Sequence, residues 1–362
     1  MKYQWAEEPW LQALLTDDSP KWVSNVDTEL VEMECAGHRL PLTVNHTEWD
    51  NSYVCSPYTA FISYATEELE KLKSPWLEAG LCRFIKVLGG VLKSGHINRV
   101  VHVNNWLLST NLYPDWDGRG LEELHRRLRE CYPDHVIVFR SLNGVTNREL
   151  MGEFEELGYR LLPSRQVYLF DGRKELRKTK NYLTDLKLLR KRTEYRLVGH
   201  EELTEVDYPR IAGLYEQLYL QKYSEHNPAF TAELIALWHK HGILKMTGLR
   251  HPNGRLDGIV GIWERAGVTT VPLVGYEFTV PQKAGLYRML MAVAIEDVHR
   301  RGHLLNLSAG ASHFKRLRGG VAELEYSAVY YHHLPVRRRW VWRVLDLTLC
   351  YLAAPLMRYF KV

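Results

Sequence analysis

Cysteine is scarce in this chain: five in 362 residues, with no C-x-x-C pair and no histidine at metal-ligand spacing beside one. Cys35, Cys55, Cys82, Cys131 and Cys350 are scattered and odd in number, which excludes a framework in which every thiol is paired. The pattern suits a reducing cytoplasm, with thiols used as small apolar residues. Long apolar runs are missing too. No stretch approaches 18 uninterrupted apolar residues; the nearest, WVWRVLDLTLCYLAAPLMRYF at 340–360, is broken by Arg343, Asp346 and Pro355. The opening MKYQWAEEPWLQALL places acids and tryptophans where a secretory leader has a basic start and an apolar middle, so none is expected there. Charge of one sign is also lacking. The formal net charge is +4, which gives no global signature of nucleic-acid binding. G-x-S-x-G, G-x-x-x-x-G-K-[ST] and H-E-x-x-H are absent, which argues against the hydrolases, phosphate-loop enzymes and zinc proteases that use them. The sixteen histidines are scattered, and no metal site is expected. His332 and His333 are adjacent, so on a strand they point to opposite faces.

What is present is an ordinary globular composition, 46% apolar and 25% charged, in a chain long enough for two domains. The second half reads clearly from its periodicities. YRLVG at 195–199 predicts a strand, and 206–223 and 231–241 predict two helices. Three strands follow, ILKMTGLR, GRLDGIVGIWE and VTTVPLVGYEF, separated by turns at HPNG (251–254) and RAG (265–267). Then come a helix at about 285–301, a short strand LLNLS, a short helix around SHFKRL and a last strand ELEYSAVYY. The first half ends in the same order. A helix at 119–131, a strand at 135–141, a helix at 147–158 and the strand YRLLPSRQVYLFD are preceded by helices near 58–72 and 76–92 and the strand NRVVHVNNWLLS. The order of element types repeats, although the residues do not. This predicts an α/β (α+β) protein of two tandem domains, 1–171 and 172–334, each a mixed, largely antiparallel sheet flanked by helices. A tail follows at 335–362. Two readings of the tail stay open: a helix docked on the body, or an interfacial contact in which the arginines at 337–339 face anionic lipid.

Between the halves, residues 172–196 hold ten lysines and arginines against three acids, Glu175, Asp185 and Glu194. Two readings apply here also: a solvated helix face, or a positive wall suited to a phosphorylated donor or to RNA.

The stretch GYEFTVPQKAGLYRMLMAVAIEDVHRRGHLLNLSAGASHFKRLRG, 275–319, carries a family resemblance. A glycine turn opening a helix, a strand ending in small residues and an FKRxRG-like segment resemble the GNAT acyltransferase superfamily. Two such orders in a row, with the basic LRKTKNYLTDLKLLRKR between them, resemble the FemABX peptidoglycan-bridge transferases and CelD-like GNAT proteins. The resemblance implies an N-acyltransferase whose second half is catalytic and whose first half is a degenerate copy shaping the acceptor pocket. It implies a donor held by backbone amides of a Q/R-x-x-G-x-G/A turn. Gln282, Lys283, Ala284 and Gly285 fit the first positions, Leu286 is unconstrained, and Tyr287 stands where that pattern has a small residue. Lys283 and Arg288 would offer side-chain charge in place of lost amide contacts, and Gly285→Asp would abolish donor binding without harming the fold. The physical basis is that unpaired N–H groups at a helix start attract phosphate. The co-substrate so implied is acyl-CoA, with acyl carrier protein or aminoacyl-tRNA as other carriers, and the acceptor is an amine on a small molecule or envelope precursor. The setting implied is cytoplasmic, or peripheral to the inner face of the membrane.

Candidate catalytic residues follow from the same segment. Glu277, just past a strand, either takes the amine proton through water or is an exposed acid before a turn. Asn306 and Ser308 alternate with Leu305 and Leu307, so they share a face and either bind substrate or satisfy backbone groups. By the resemblance, Lys315 neutralises a developing oxyanion or carrier phosphate, and Tyr326 protonates the leaving group; the plainer readings are a solvated helix face and strand packing. In the first half His102, Asn104 and Arg140 are placed for acceptor recognition at the cleft between domains, or else belong to an internal hydrogen-bond network.

Overall fold

The computed structural model describes residues 7–69, 75–173, 179–191 and 194–360. Parts of the basic segment, 174–178 and 192–193, therefore lie outside the described residues.

The chain begins with two short helices, α1 (Glu8–Thr16) and α2 (Ser19–Trp22), then a hairpin of β1 (Glu29–Cys35) and β2 (His38–Asn45). That hairpin is not anticipated above. Its signal is the two-residue turn Ala36-Gly37, both at positive φ (49° and 81°), the geometry that matches the twist of paired strands. Helices α3 (Tyr64–Leu69) and α4 (Pro75–Ser94) come next, then β3 (Val100–Val103), α5 (Leu121–Cys131), β4 (Val136–Asn143), α6 (Arg148–Glu156) and β5 (Arg160–Asp171). The expected long strand at 98–109 is thus short: Asn104 has φ 57° and the chain turns out of the sheet there. The two helices also sit inside the first-half meander, between β2 and β3, and not ahead of it.

The second half runs α7 (Lys180–Arg190), β6 (Arg196–Val198), α8 (Tyr208–Glu216), α9 (Ala232–Lys240), β7 (Lys245–Arg250), β8 (Leu256–Arg265) and β9 (Val268–Tyr276). It continues with α10 (Leu286–Arg301), β10 (Leu304–Asn306), α11 (Ser312–Arg316) and β11 (Val321–Tyr330), and closes with α12 (Val336–Thr348) and α13 (Ala354–Phe360).

The expected class, a mixed and largely antiparallel sheet flanked by helices, is the one observed, but the strands form one sheet of eleven in the order β1-β2-β3-β4-β11-β5-β10-β9-β8-β7-β6. The order is symmetric about its middle. In each half a meander ends in a strand that pairs parallel with the next, β3 with β4 and β9 with β10. Each of those inner strands then accepts the last strand of the other half: β4 pairs with β11, and β10 with β5. The last strands also pair with each other from Val321↔Leu169 to Val329↔Arg160. Sequence halves and hydrogen-bonded halves therefore interleave at the seam.

The halves share a core as well. Trp10 of α1 lies 4.9 Å from Trp106, 5.6 Å from Trp238 and 5.5 Å from Trp263, ring centre to ring centre. Helix α10 packs on the opposite face of the sheet, with Leu286, Met289, Leu290 and Val298 buried against Leu305 and Val260. A helix covered by the sheet on one side and by α7 on another has little need of a polar face, and α10 carries apolar residues around most of its girth.

Candidate active site

Strands β9 and β10 share only three register pairs, Leu304↔Val268 to Asn306↔Thr270. Beyond Thr270, β9 runs on to Tyr276, while after Asn306 the other chain turns away through Ser308 at φ 58°. The strands therefore part beside the start of α10.

Lys315 of α11 holds that turn. It is buried, and its Nζ donates to the carbonyls of Leu307 (2.7 Å), Ser308 (3.2 Å) and Ala309 (2.8 Å). Burial, with Arg165 nearby, pulls its pKa down to about 7. Lys315 is not on a solvated helix face; all three donors of its ammonium go to one loop of backbone.

The turn at 281–285 keeps an anion-friendly geometry on its outer side. Gln282 and Lys283 are exposed, and Lys283 makes no ion pair with a described residue. Gly285 has φ 73°, α10 has no side-chain cap, and no acid lies in its first turn. The equivalent helix in the first half, α5, opens on Gly118-Arg119-Gly120, a turn that sequence reading passes over. There Glu122 and Glu123 already occupy the first turn and satisfy the helix field. The inner side of the α10 turn is closed. A Cβ on Gly285 would lie 2.6 Å from Leu188 Cδ2 of α7, and the amides of Ala284 and Gly285 bond back to Pro281 and Gln282.

Two of the residues expected to meet the donor also make contacts within the protein. The Nε of Arg288 is committed to buried Asp185 at 2.6 Å, whose other oxygen accepts from Arg318 at 2.5 Å. Tyr287 spans the gap between the parting segments: its ring lies 5.9 Å from Tyr276 at the end of β9 and 4.8 Å from Phe314 in α11. The bulky residue bridges β9 and α11 through ring contacts.

Glu277 is no free base. It accepts from Thr279 N at 3.0 Å and from Arg210 at 2.7 Å, and these contacts hold its pKa down to about 2. A carboxylate so stabilised is a poor proton acceptor at neutral pH. Tyr326 is half-buried on β11. The register shifts on both flanks of it, between Tyr326 and Ala328 against β4 and between Glu325 and Tyr326 against β5. Those irregularities break the alternation that would align Tyr326 with Tyr330.

Asn306 and the turn lie on different faces. Leu305 points into the core under α10, while Asn306 lines a cavity of about 320 Å³ on the other side. No residue of 281–290 lines it. Asn306 is 2% exposed; its Oδ1 accepts from Ser308 N at 2.8 Å, and its Nδ2 has no protein partner among the described residues. The remaining wall is mainly first-half chain, including Asn111, Ser141, Asn143 and Thr146; Asp115, Asp117, Arg148 and Glu149 are its exposed charged members, Asp117 being paired with Arg119 at 2.8 Å.

His102, Asn104 and Arg140 lie near that cavity but none of them lines it. His102 is buried in β3, where burial, then Arg140, keeps its imidazole well below the usual range. Asn104 donates to Leu112 O at 3.0 Å and accepts from Trp106 Nε1 and Arg265, each at 2.9 Å. Arg140 donates to Val54 O at 3.0 Å and reaches toward Asn105 and Leu108. Asn104 and Arg140 thus tie the loop after β3 in place, while their sequence neighbours Asn105 and Ser141 are drawn into the wall or its support. As to metals, Glu67, Glu225 and His226 are the trio that comes together among the described residues. Glu67 and His226 sit 3.4 Å apart, an ordinary carboxylate–imidazole contact.

No family model matches the chain, and no curated protein matches it. Among solved structures it is similar to FemX, at 7% identity and a TM-score of 0.46, covering 63% of this chain and 79% of that one. It is similar to L-PGS from Bacillus licheniformis at 16% identity and 0.44, covering 62% and 77%. A tandem GNAT protein from the clavulanic acid biosynthesis pathway is similar at 14% and 0.37, covering 64% and 75%. These include the two groups named by the sequence resemblance.

Proposed function

We propose that this protein is an N-acyltransferase, moving an acyl or aminoacyl group from an anionic carrier to an amine of a small molecule or envelope precursor. The observation that carries the reading is the parting of β9 and β10 at Asn306. An uncapped, acid-free helix start with exposed Lys283 lies on one face of that opening, and a polar cavity floored by Asn306 lies on the other. Lys283 and the outer turn hold the carrier's phosphate. The acidic rim of the cavity draws a cationic amine, and Asn306 Nδ2 donates to an oxygen of the acceptor or to the carbonyl under attack. The ammonium releases one proton to solvent, the neutral amine attacks the carbonyl carbon, and the C–N bond forms as the C–S or C–O bond to the carrier breaks; the second proton leaves nitrogen and ends on the departing sulfur or oxygen. Lys315 is a positioning residue: it fixes the turn that separates the strands.

The carrier proposed is acyl-CoA, with acyl carrier protein as a variant of the same thioester chemistry. A second reading, aminoacyl-tRNA, is favoured by one observation. Helix α7, whose Leu188 abuts Gly285, exposes Lys187, Arg190 and Lys191. Melting temperatures with acetyl-CoA, longer acyl-CoAs and aminoacyl-tRNA test both. A carrier at 100 times its Kd stabilises the native state by about 2.7 kcal/mol. The expected result is a rise with one carrier class that Lys283→Glu removes, and tRNA binding would weaken steeply with salt. No rise with any carrier would instead mark a non-catalytic scaffold.

A further inference from the structure

The closing helix is apolar on two opposite sides. Helices α12 and α13 are joined by a wider turn over Leu349–Ala353 into a continuous rod, of which Val336–Met357 is long and apolar enough, by length and composition, to cross a membrane. Its inner side, Val341, Trp342, Leu345 and Leu349, is buried in a core with Leu92, Leu162 and Val329. The outer side is not covered. Trp340 is 59% and Tyr351 79% exposed, and Val336, Leu347, Leu352 and Leu356 are exposed with them. Positions 336, 340, 343, 347 and 351 step by four, three, four and four, which places them in one line along a helix. An exposed apolar line on a helix whose opposite side is already in the core marks a surface for a further contact.

Charge selects the occupant. The line contains Arg343, with Arg337 exposed beside it, and Asp346 is the one acid between 336 and 360. Asp346 is buried and bonded to Arg160 at 3.0 Å, so the outer side presents apolar and cationic groups and no carboxylate. Helix α4 continues the theme. It meets α12 where a Cβ on Gly95 would strike Val341, and it exposes Phe84 and Val87 beside Arg83 and Lys86. Tryptophan and tyrosine among leucines, rimmed by arginine, suit the boundary between headgroups and acyl chains.

Crossing the bilayer is ruled out by what the inner side holds. Buried Arg338 donates to the carbonyls of Gly95 (3.1 Å) and Asp134, and Asp346 is tied to Arg160 on β5. A spanning pose would break those bonds, strip a core face and carry Arg338 and Asp346 into hydrocarbon. We propose that the α12–α13 rod lies in the plane of an anionic membrane surface, inserting Trp340, Leu347 and Tyr351 with Arg337 and Arg343 on phosphate. The proposal stands apart from the transferase reading and needs no donor or acceptor.

Co-sedimentation of the full chain with vesicles of phosphatidylcholine, with and without phosphatidylglycerol, tests it. The expected result is binding to the anionic vesicles that weakens with salt. The triple variant Trp340→Ser/Leu347→Ser/Tyr351→Ser, altered only on the outer side, should lose affinity by about tenfold or more while melting as the wild type does. Arg337→Glu/Arg343→Glu should lose the preference for phosphatidylglycerol. Wild type left in the supernatant with both vesicle types overturns the proposal, as does a triple variant that binds undiminished. If the wild type ignores vesicles but runs as a dimer that the triple variant abolishes, the face is a contact between copies of this chain and the lipid assignment falls.

Discussion

Arg165 and Glu325 face each other at 2.6 Å across β5 and β11, the two strands that the halves exchange. The carboxylate is buried, and the arginine also donates to Ser109 O at 2.5 Å and Thr110 Oγ1 at 2.9 Å. One ion pair thus pins the exchanged strands to the loop that walls the cavity.

Removing one partner leaves an uncompensated buried charge. Glu325→Gln should destabilise the fold by about 3–5 kcal/mol, and Arg165→Met/Glu325→Leu should recover much of that loss. Urea unfolding of the three proteins checks both statements.

Gly285 is constrained by its φ of 73° and by Leu188 at 2.6 Å from an added Cβ. Gly285→Asp is therefore no clean test of donor binding: it should cost about 2–4 kcal/mol from backbone strain and overpacking. Lys283→Glu, on the exposed rim, should leave the melting temperature of the free protein unchanged and abolish the rise produced by carrier.

Glu277, held down to about 2, contributes stability that is fully present above its unfolded pKa and is lost as pH falls through the folded value. Acid titration of Glu277→Gln against wild type should show the two converging as pH drops from about 4.3 toward 2. At neutral pH the variant should be less stable yet keep its turnover. A turnover loss exceeding a hundredfold without loss of fold would restore Glu277 as the base.

Lys315 has the same pH slope in a higher window, but its burial is a cost to the folded state and not a gain. Its pKa is lowered to about 7, so between that value and the unfolded one the unfolded chain binds the extra proton. Stability should rise with pH from about 7 toward 10. Lys315→Met should be flat over that window in calorimetric melts and less stable by about 1–3 kcal/mol, because buried carbonyls of the turn lose their donor.

Asn306→Asp keeps the acceptor for Ser308 N–H and deletes the unpartnered donor at the cavity floor. Turnover assays should show kcat/KM for the amine falling about tenfold to a hundredfold. The carrier-induced melting shift should persist, since the cavity and the turn lie on opposite faces.

Local periodicity carried much of the architecture. The helices at 121–131, 148–156, 232–240 and 286–301 and the meander β7–β9 lie where apolar spacing puts them, because a stripe at 3.6 or 2 residues is a property of neighbours in sequence. The repeated order of elements was legible for the same reason. The hairpin at 29–45 was within reach too, through Ala36-Gly37, but only if a turn signal is weighed above the weak alternation around it.

The sequence by itself determined which segments are helix or strand, that the order recurs, and that the turn at 282–285 opens a helix. Tertiary structure alone decided that β5 and β11 trade places, that α7 closes the inner side of that turn, and that Asn306 faces away from it. The physical reason is range. Periodicity reports which face of an element is buried, whereas the partner that buries it is chosen by packing and pairing between residues such as Arg165 and Glu325, 160 positions apart.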